Sequence, residues 1–308
     1  MNSKRLVPSP LRHGDTLGVI APAGQLQDKE LFRSGIAILQ EMGFQLKFPR
    51  DLWPGTSYLS DSDTHRADEF NSLWRDPEVK GIIAMRGGYG CLRILDKIDI
   101  NLIKHTPKAI VGFSDISLLL NYLHLTTGLV SYHGPVVTSL SSATPEAQER
   151  LYRSLTGASL AAISTSELEI IQDGPTVHGP IIGGNLASLT TVLGTGFDHI
   201  WHNKILFLED VNEPVYKIDR MLTQLRLAGK FENISGIILG DFHLDAYQDP
   251  IEILRYRESI WNLVISICGR PELPIWANLP SGHCSRNLTF PLGAAVELNP
   301  ANKSLKFS

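Results

Sequence analysis

The N-terminal part of the chain alternates short apolar runs with stretches of helical periodicity, and this alternation constrains the fold more than any other feature. Thr16 to Ile20 and Val79 to Met85 are predicted strands, each followed by a turn and then by a predicted helix. A further apolar run, Lys108 to Phe113, precedes Leu118-Leu119-Leu120, which predicts another helix. Strand, turn and helix in repeated succession predict an α/β fold, a doubly wound parallel sheet with helices on both faces.

Two of the turns that follow these strands carry residues of chemical interest. Ligands in such a sheet bind at the carboxyl ends of the strands, so Arg86-Gly87-Gly88-Tyr89-Gly90 and Ser114 are both predicted at the ligand-binding edge. A serine between a strand and a helix has its hydroxyl raised above that edge, as in a nucleophile elbow, although Ile116 replaces the second glycine of G-x-S-x-G. Taken alone, the turn is better explained by Ser114 or Asp115 acting as a helix N-cap.

The glycine-rich turn also has two interpretations. It lacks both the G-x-G-x-x-G spacing and the G-K-[ST] sequence of phosphate-binding loops. A tight turn with positive φ at one glycine would account for it. Alternatively its backbone amides bind an anion, which for a serine nucleophile is the tetrahedral oxyanion.

The composition changes between Ser139 and Pro180, where Ser, Thr, Ala and Gly dominate and the periodicity is weak. We therefore predict an N-terminal α/β domain over residues 1–140, a linker over 141–178 and a C-terminal domain over 179–308.

Two titratable residues of the C-terminal half are candidates for catalysis. Glu209 directly follows the apolar run Ile205 to Leu208, and a buried glutamate is unusual unless it is paired. A salt bridge to Arg220 would explain it, or it could orient a histidine as the third member of a triad does. His283 lies in a polar loop, where a histidine is usually solvated but where a general base is also often found.

A metal site and a thiol nucleophile are weaker alternatives. Asp241, His243 and Asp245 alternate after a predicted strand and could share one of its faces, but no second histidine cluster supports a metal. Cys284 follows His283 directly, yet nothing in the sequence predicts an unusual thiolate environment.

Length and composition exclude several classes of protein. The chain has 308 residues and a net charge of −4, which favours two domains and gives no indication of a nucleic-acid partner. No run of 18 apolar residues predicts a membrane span, and the N-terminal residues do not predict a signal peptide. Three widely spaced cysteines predict no disulfide framework. These features suggest the reducing cytoplasm.

Taken together, the motifs resemble the LD-carboxypeptidase family of serine peptidases, the muramoyltetrapeptide carboxypeptidases. The resemblance extends from about Gly14 to Gly293, and a set of six motifs is more specific than any one of them. The motifs are Arg86-Gly87-Gly88-Tyr89-Gly90, Gly112-Phe113-Ser114-Asp115-Ile116, Gly183-Gly184-Asn185-Leu186, Leu208-Glu209-Asp210-Val211-Asn212-Glu213-Pro214, Ile218-Asp219-Arg220-Met221-Leu222 and Gly282-His283.

The resemblance implies a catalytic triad and an oxyanion hole. Ser114 would be the nucleophile, His283 the general base and Glu209 the residue that orients it. The backbone amides of Gly88 and Asp115 would form the oxyanion hole. The family fold implies a flavodoxin- or amidotransferase-like N-terminal domain and a β-rich C-terminal domain.

The resemblance also implies the substrate and the setting. The expected activity is removal of the terminal D-alanine from cytoplasmic muropeptide tetrapeptides during peptidoglycan recycling, by a homodimer without metal or organic cofactor. Microcin C immunity hydrolases of the same family, which cleave a peptidyl-nucleotide analogue, remain an alternative. A non-catalytic protein that binds a small anion on the glycine-rich turn is another.

A carboxypeptidase must also recognise the free carboxylate of the leaving residue, and arginine offers a two-pronged donor for it. Arg86, Arg220 and Arg286 are the candidates that the motifs provide. We predict that Arg86 binds the D-alanine carboxylate and that Arg220 is structural. Residues 144–177 and 245–270 carry no family motif, and their role stays open.

Overall fold

The structure is a computed structural model that describes residues 5–49, 55, 57–158, 163 and 168–308. The chain divides into two compact units. The first unit consists of Met1–Leu160 and Ser285–Gly293, and the second of Ala161–Cys284 and Ala294–Ser308.

The described residues form helices and strands that alternate along most of the chain. The helices are α1 (Lys29–Glu41), α2 (Asp63–Arg75), α3 (Ile100–His105), α4 (Ile116–Thr127), α5 (Pro145–Thr156), α6 (Leu186–Thr190), α7 (Val215–Leu227) and α8 (Pro250–Cys268). The strands are β1 (Thr16–Ile20), β2 (Gln45–Lys47), β3 (Val79–Ala84), β4 (Ala109–Gly112), β5 (Ser131–His133), β6 (Glu169–Gln172), β7 (Val177–Asn185), β8 (Ile205–Val211), β9 (Gly236–His243), β10 (Ile275–Ala277), β11 (Phe290–Leu292), β12 (Ala295–Asn299) and β13 (Ser304–Phe307).

The sheet of the first unit confirms the predicted parallel α/β architecture. Its described strands lie in the order β11-β5-β4-β3-β1-β2. Strands β1 to β5 run parallel, and β11 is antiparallel to β5. The order 2-1-3-4-5 of the parallel strands is that of flavodoxin-like folds. Apolar side chains of β1, β3 and β4, including Val19, Ile83 and Val111, form one buried cluster with α1 and α5.

The second unit has its own sheet, in the order β13-β12-β7-β8-β9-β10-β6 within the described residues. Strands β7 to β10 are parallel, while β6, β12 and β13 pair antiparallel at the two edges. Its core contains Leu206 and Leu239 from the sheet together with Leu222 from α7 and Val264 from α8. This unit therefore buries a core of its own.

The structure differs from the predicted linker over residues 141–178. That stretch contains α5, which packs into the core of the first unit, and β6, which is an edge strand of the second unit's sheet. The start of α5 does have a sequence signal, although the Ser-, Thr-, Ala- and Gly-rich composition of the segment suggested a linker. Thr144 accepts a hydrogen bond from the Ala147 backbone N–H, and Pro145 occupies the first turn.

The apolar run Leu292 to Leu298, which by its composition would suit one strand, is divided between two strands. It is interrupted at Gly293, whose φ is +87°, so that β11 belongs to the first unit and β12 to the second. The region 245–270, which carries no family motif, contains α8, the longest helix of the described residues. None of the helices that the structure describes has the length and apolar character needed to cross a membrane.

Candidate active site

Ser114 lies at a sharp turn between β4 and α4, with a backbone φ of +63°. Positive φ is uncommon for residues other than glycine and costs conformational free energy, which is often stored at functional sites. Ser114 is partly exposed, while Phe113, Asp115 and Ile116 around it are buried. The residue is therefore held at the tip of a strained turn, as a nucleophile elbow requires.

The N-cap interpretation of this turn is correct for the position of Asp115 but not for the role of its side chain. Asp115 occupies the N-cap position of α4, but no side chain caps the helix there. The Asp115 carboxylate instead accepts a hydrogen bond from the Cys91 backbone N–H at 2.8 Å. Burial raises the pKa of this carboxyl group, and the hydrogen bond from Cys91 opposes that shift. Asp115 thus connects the nucleophile turn to the segment that follows the glycine-rich turn.

The departure from the G-x-S-x-G pattern has a packing explanation. A Cβ atom added to Gly112 would lie 2.6 Å from Cγ2 of Ile116. The glycine before the serine therefore makes room for a branched side chain at the position where a second glycine is usual. Ile116 is fully buried, so the exchange also adds apolar contacts beneath the turn.

The glycine-rich turn packs directly against the serine. A Cβ atom on Gly87 would lie 2.7 Å from Cβ and 2.8 Å from Oγ of Ser114, so only glycine permits this approach. The Gly87 carbonyl accepts a hydrogen bond from the Gly24 N–H at 3.1 Å. Gly88 is exposed and has a φ of +118°. The turn and the nucleophile are parts of one local structure.

Two arginines hold this turn in place. The guanidinium of Arg86 donates a hydrogen bond to the Gln25 carbonyl at 2.6 Å, and partial burial lowers its pKa. Arg66 is fully buried and donates to the carbonyls of Pro22 and Gly90. Arg66 was missed at the sequence level, since an arginine within a polar helix usually indicates a solvated face.

Glu209 and His283 meet in the second unit, although 74 residues separate them. Glu209 is fully buried and lies at an irregularity in the pairing of β8 with β9. Its Oε2 atom accepts a hydrogen bond from His283 Nδ1 at 2.6 Å. This bond places the proton of a neutral imidazole on Nδ1, so Nε2 is the nitrogen able to accept a proton.

The environment of His283 favours its charged form. Burial lowers its pKa, but the charge of Glu209 and the hydrogen bond to it outweigh that effect and raise the pKa above its usual value. Gly282, with a φ of +123°, allows the close approach, because an added Cβ would lie 2.8 Å from Oε2 of Glu209. The pair has the geometry of a general base and its orienting carboxylate.

Asp210, next to Glu209, is a second buried carboxyl group that the sequence did not single out. Burial and the charge of Glu209 raise its pKa to about 7. It accepts hydrogen bonds from Asn185 Nδ2 at 3.0 Å and from the Ala187 N–H at 2.9 Å. Asn185 in turn accepts from the Ser188 N–H at 2.9 Å. Asp210 therefore fixes the turn between β7 and α6.

The alternative in which Arg220 is the partner of Glu209 is wrong. Arg220 does not pair with Glu209, because it is exposed and lies over the Tyr216 ring, 5.7 Å from its centroid. Arg286 forms a two-bond pair with Glu146, at 2.6 and 3.2 Å.

Asp241, His243 and Asp245 do not form a common site either. Asp241 pairs with Arg257 and His243 with Asp245. Among the described residues there is no group of three side chains arranged to hold a metal ion.

The structure places the candidate residues in two groups. Ser114, Gly88, Asp115 and Arg86 belong to the first unit, whereas Glu209 and His283 belong to the second.

Comparison with protein families gives two matches that cover most of the chain. Residues 17–134 match the LD-carboxypeptidase N-terminal domain, and residues 178–298 match the LD-carboxypeptidase C-terminal domain.

Similar proteins include two bacterial carboxypeptidases. A probable murein peptide carboxypeptidase of Bacillus subtilis is 35% identical over 303 residues, which covers 96% of this chain and 92% of the relative. The murein tetrapeptide carboxypeptidase of Pseudomonas aeruginosa is 32% identical over 299 residues, with 92% of each chain covered.

A solved structure of the microcin C7 self-immunity protein in complex with aspartyl sulfamoyl adenosine is also similar. It superposes with a TM-score of 0.83 at 26% identity, and 98% of each chain is covered.

Proposed function

The chain belongs to the LD-carboxypeptidase family, and we propose that it removes the terminal D-alanine from muropeptide tetrapeptides by means of a Ser114-Glu209-His283 triad. The bond cleaved is the amide between the third residue and D-alanine. A murein tetrapeptide carboxypeptidase among its relatives supports this substrate. The observation that carries the catalytic assignment is the strained backbone of Ser114, whose φ is +63°.

In the proposed reaction Ser114 Oγ attacks the carbonyl carbon of the scissile amide. His283 Nε2 takes the hydroxyl proton and returns it to the amine of the leaving D-alanine, which gives an acyl-enzyme. Water then attacks the ester carbonyl while His283 takes its proton; the ester bond breaks, Ser114 Oγ receives that proton, and the shortened peptide leaves with a free carboxylate. Glu209 stabilises the imidazolium that forms twice in this cycle, and its hydrogen bond to Nδ1 at 2.6 Å supports that role.

The negative oxygen of the tetrahedral intermediate needs fixed donors. We assign them to the backbone N–H groups of Gly88 and Asp115. Within the described part of the chain neither group donates a hydrogen bond to a protein acceptor, so both are available. The close packing of Gly87 on Ser114 supports the assignment, because it brings the turn to the nucleophile.

The cytoplasmic setting, the role in peptidoglycan recycling and the homodimer rest on the family resemblance. These three properties belong to the proposal, but the roles of Ser114, Glu209 and His283 do not depend on them. Within the described residues Cys91, Cys268 and Cys284 form no disulfide bond, which is compatible with a reducing compartment.

A second candidate activity is hydrolysis of an aminoacyl- or peptidyl-nucleotide of the microcin type. It is favoured by the similarity to the microcin C7 self-immunity protein, whose solved structure holds aspartyl sulfamoyl adenosine. The same nucleophile and base would act on that amide. The two activities differ in the leaving group, which is D-alanine in one case and an amine attached to a nucleotide in the other.

The decisive test measures D-alanine release from purified tetrapeptide by the wild type and by Ser114→Ala. We expect a loss on the order of 10⁶ in turnover, because triad members act as a unit. Ser142→Ala is the matched control, since Ser142 is an exposed serine of the same unit, and it should keep full activity. Circular dichroism should show that all three proteins are folded.

Retention of more than a few per cent of activity by folded Ser114→Ala would refute the nucleophile assignment. Wild-type turnover of an aminoacyl sulfamoyl adenosine, without release of D-alanine from the tetrapeptide, would replace the first candidate with the second.

A further inference from the structure

The carboxyl group of Asp115 is buried beside the proposed nucleophile, yet the proposed reaction uses only the backbone N–H of this residue. Asp115 has 4% of its surface exposed, and burial raises the pKa of its carboxyl group. Buried carboxylates are rare unless they are paired. A side chain at the N-cap of a helix usually accepts a hydrogen bond from the first turn, but among the described residues Asp115 makes no such bond. Its carboxyl group therefore has a role other than capping α4.

The hydrogen bond that the Asp115 carboxylate does make reaches a different part of the first unit. Its Oδ2 atom accepts from the Cys91 N–H at 2.8 Å, across 24 residues of sequence. Cys91 is fully buried and directly follows Gly90, the last residue of the glycine-rich turn. A hydrogen bond from a backbone N–H to a carboxylate is stronger than one between neutral groups. The bond therefore fastens the end of the glycine-rich turn to the start of α4.

This bond joins the two proposed oxyanion donors. One donor is the N–H of Asp115 itself, and the other, the N–H of Gly88, lies in the turn that the bond holds. Gly88 and Gly90 have φ values of +118° and +128°, and glycine is the residue with the greatest backbone freedom. The turn therefore needs restraint from its surroundings. Arg66, which is fully buried, provides a second restraint, because it donates to the Gly90 carbonyl at 3.0 Å.

The negative charge of the carboxylate does not explain its position. An oxyanion hole stabilises developing negative charge, and a second negative charge on the residue that supplies a donor would oppose this effect. The positive charge of the buried Arg66 acts against the effect of burial on the pKa of Asp115, so it partly compensates the carboxylate. What the site gains from Asp115 is then a hydrogen-bond acceptor at a fixed place.

We propose that Asp115 is a positioning residue for the oxyanion hole, and that its carboxylate keeps the glycine-rich turn aligned with the nucleophile turn. It acts through the two backbone donors and does not touch the reacting atoms. The inference rests on the proposed function, since the hole belongs to the same reaction. It predicts that catalysis depends on an acceptor at this position and not on its charge.

The test measures D-alanine release from the tetrapeptide by variants of Asp115. Asp115→Asn keeps the size of the side chain and one acceptor oxygen, and it should retain kcat within about 3-fold. Asp115→Ala leaves the Cys91 N–H without this acceptor. It should lower kcat by about 10- to 100-fold, less than the loss of a whole oxyanion donor. KM should change by less than about 3-fold, because the hole stabilises the transition state rather than the bound substrate.

Asp115→Ser covers the possibility that Asp115→Ala fails to fold. A serine at the N-cap stabilises the start of a helix, but its side chain is shorter than that of aspartate and should not reach the Cys91 N–H. This variant should lose as much kcat as Asp115→Ala. Asp99→Ala is the matched control, because the Asp99 carboxylate also accepts from a backbone N–H, that of Leu102 at 3.0 Å. It should lower stability and leave kcat unchanged.

Two substrate analogues separate a role in the oxyanion hole from a general structural role. A peptide aldehyde forms a hemiacetal with Ser114 Oγ, and the hemiacetal oxygen occupies the hole. It should bind Asp115→Ala about 10- to 100-fold more weakly than it binds the wild type. An analogue with a methylene group in place of the scissile carbonyl has no oxygen for the hole, so its affinity should not change. A general loss of structure would weaken the binding of both.

The outcomes distinguish this inference from the proposed function. If the wild type releases no D-alanine, the proposed function fails and the inference fails with it. If the wild type is active, full kcat in folded Asp115→Ala and Asp115→Ser refutes only the inference. An equal loss of kcat in Asp115→Asn and Asp115→Ala would also refute it, because the charge would then matter. Equal weakening of both analogues, or failure of both Asp115→Ala and Asp115→Ser to fold, would refute it by showing that the carboxylate serves the fold as a whole.

Discussion

Glu209→Gln should lower the turnover of the tetrapeptide by roughly 10² to 10⁴ while leaving the fold intact. The substitution keeps the size of the side chain but removes the negative charge beside His283. Two unit charges about 4 Å apart interact by about 4 kcal/mol at an effective dielectric constant of about 20. Glu209 is fully buried and its bond to Nδ1 measures 2.6 Å, so solvent screens the interaction little. A loss of about 4 kcal/mol corresponds to a factor of about 10³.

The same substitution should shift the pH dependence of the reaction. His283 acts as a base only when it is neutral, so kcat/KM rises with pH through its pKa. Glu209 raises that pKa above the ordinary value of 6.5, and the wild-type acidic limb should therefore lie above pH 6.5. In Glu209→Gln the limb should move to lower pH, because burial still lowers the pKa and the opposing charge is gone.

The free energy of unfolding should also depend on pH through His283. Because the pKa of His283 is raised in the folded protein, its protonation contributes stability that is fully present below the unfolded-state pKa. This contribution is lost as the pH rises through the folded-state pKa. Denaturant titrations of the wild type and of Glu209→Gln across pH 5 to 8 should show this dependence in the wild type and a smaller one in the variant.

The assay is D-alanine release measured at saturating and at limiting substrate between pH 5 and 8. Glu297→Gln provides the control, because Glu297 lies 3.6 Å from His178 in a partly exposed carboxylate–histidine pair. It should change neither the rate nor the pH profile. Full activity of folded Glu209→Gln with an unshifted acidic limb would exclude Glu209 from the mechanism, and a flat profile between pH 5 and 8 would exclude His283 as well.

Two further substitutions test the first unit. Gly87→Ala places a methyl group 2.7 Å from the Ser114 Cβ. It should displace the serine, lower kcat by at least about 10-fold and destabilise the fold by about 1 to 3 kcal/mol. Gly196→Ala is the control, because the space around Gly196 is open, and it should have none of these effects. Wild-type kcat in Gly87→Ala would show that the turn does not position the nucleophile. Arg86→Ala should lower kcat/KM for the tetrapeptide, with a loss of transition-state stabilisation of about 1.5 to 3 kcal/mol. The loss should be much smaller for an analogue with an amidated terminal carboxylate. Equal losses on both substrates would show that Arg86 only holds the turn through its bond to Gln25.

The sequence alone determined the local framework of the candidate site. Alternating apolar runs and helical periodicity predicted the parallel sheet of the first unit, because the residues that each strand or helix buries are close together in the sequence. They also predicted the turn with Ser114 at its tip. The positive φ of Ser114 and its contact with Gly87 were beyond the sequence, because backbone strain persists only where the surrounding packing enforces it.

Only the tertiary structure decided which distant side chains pair. The sequence allowed Glu209 to bind either Arg220 or a histidine, since both partners suit a buried carboxylate. The parallel arrangement of β8 and β9, together with the positive φ of Gly282, brings His283 onto Glu209 and leaves Arg220 exposed. A pairing across 74 residues depends on the path of the chain between them, and no local pattern encodes that path.

The division into two units also depends on pairing between segments that are distant in the sequence. The segment Ser285–Gly293 returns to the first unit because β11 pairs with β5, a contact between strands more than a hundred residues apart in the sequence. Likewise α8, whose Arg257 pairs with Asp241 of β9, lies in a region without family motifs. Composition and periodicity describe what each segment can bury, whereas the identity of its partner is fixed only when the whole chain packs.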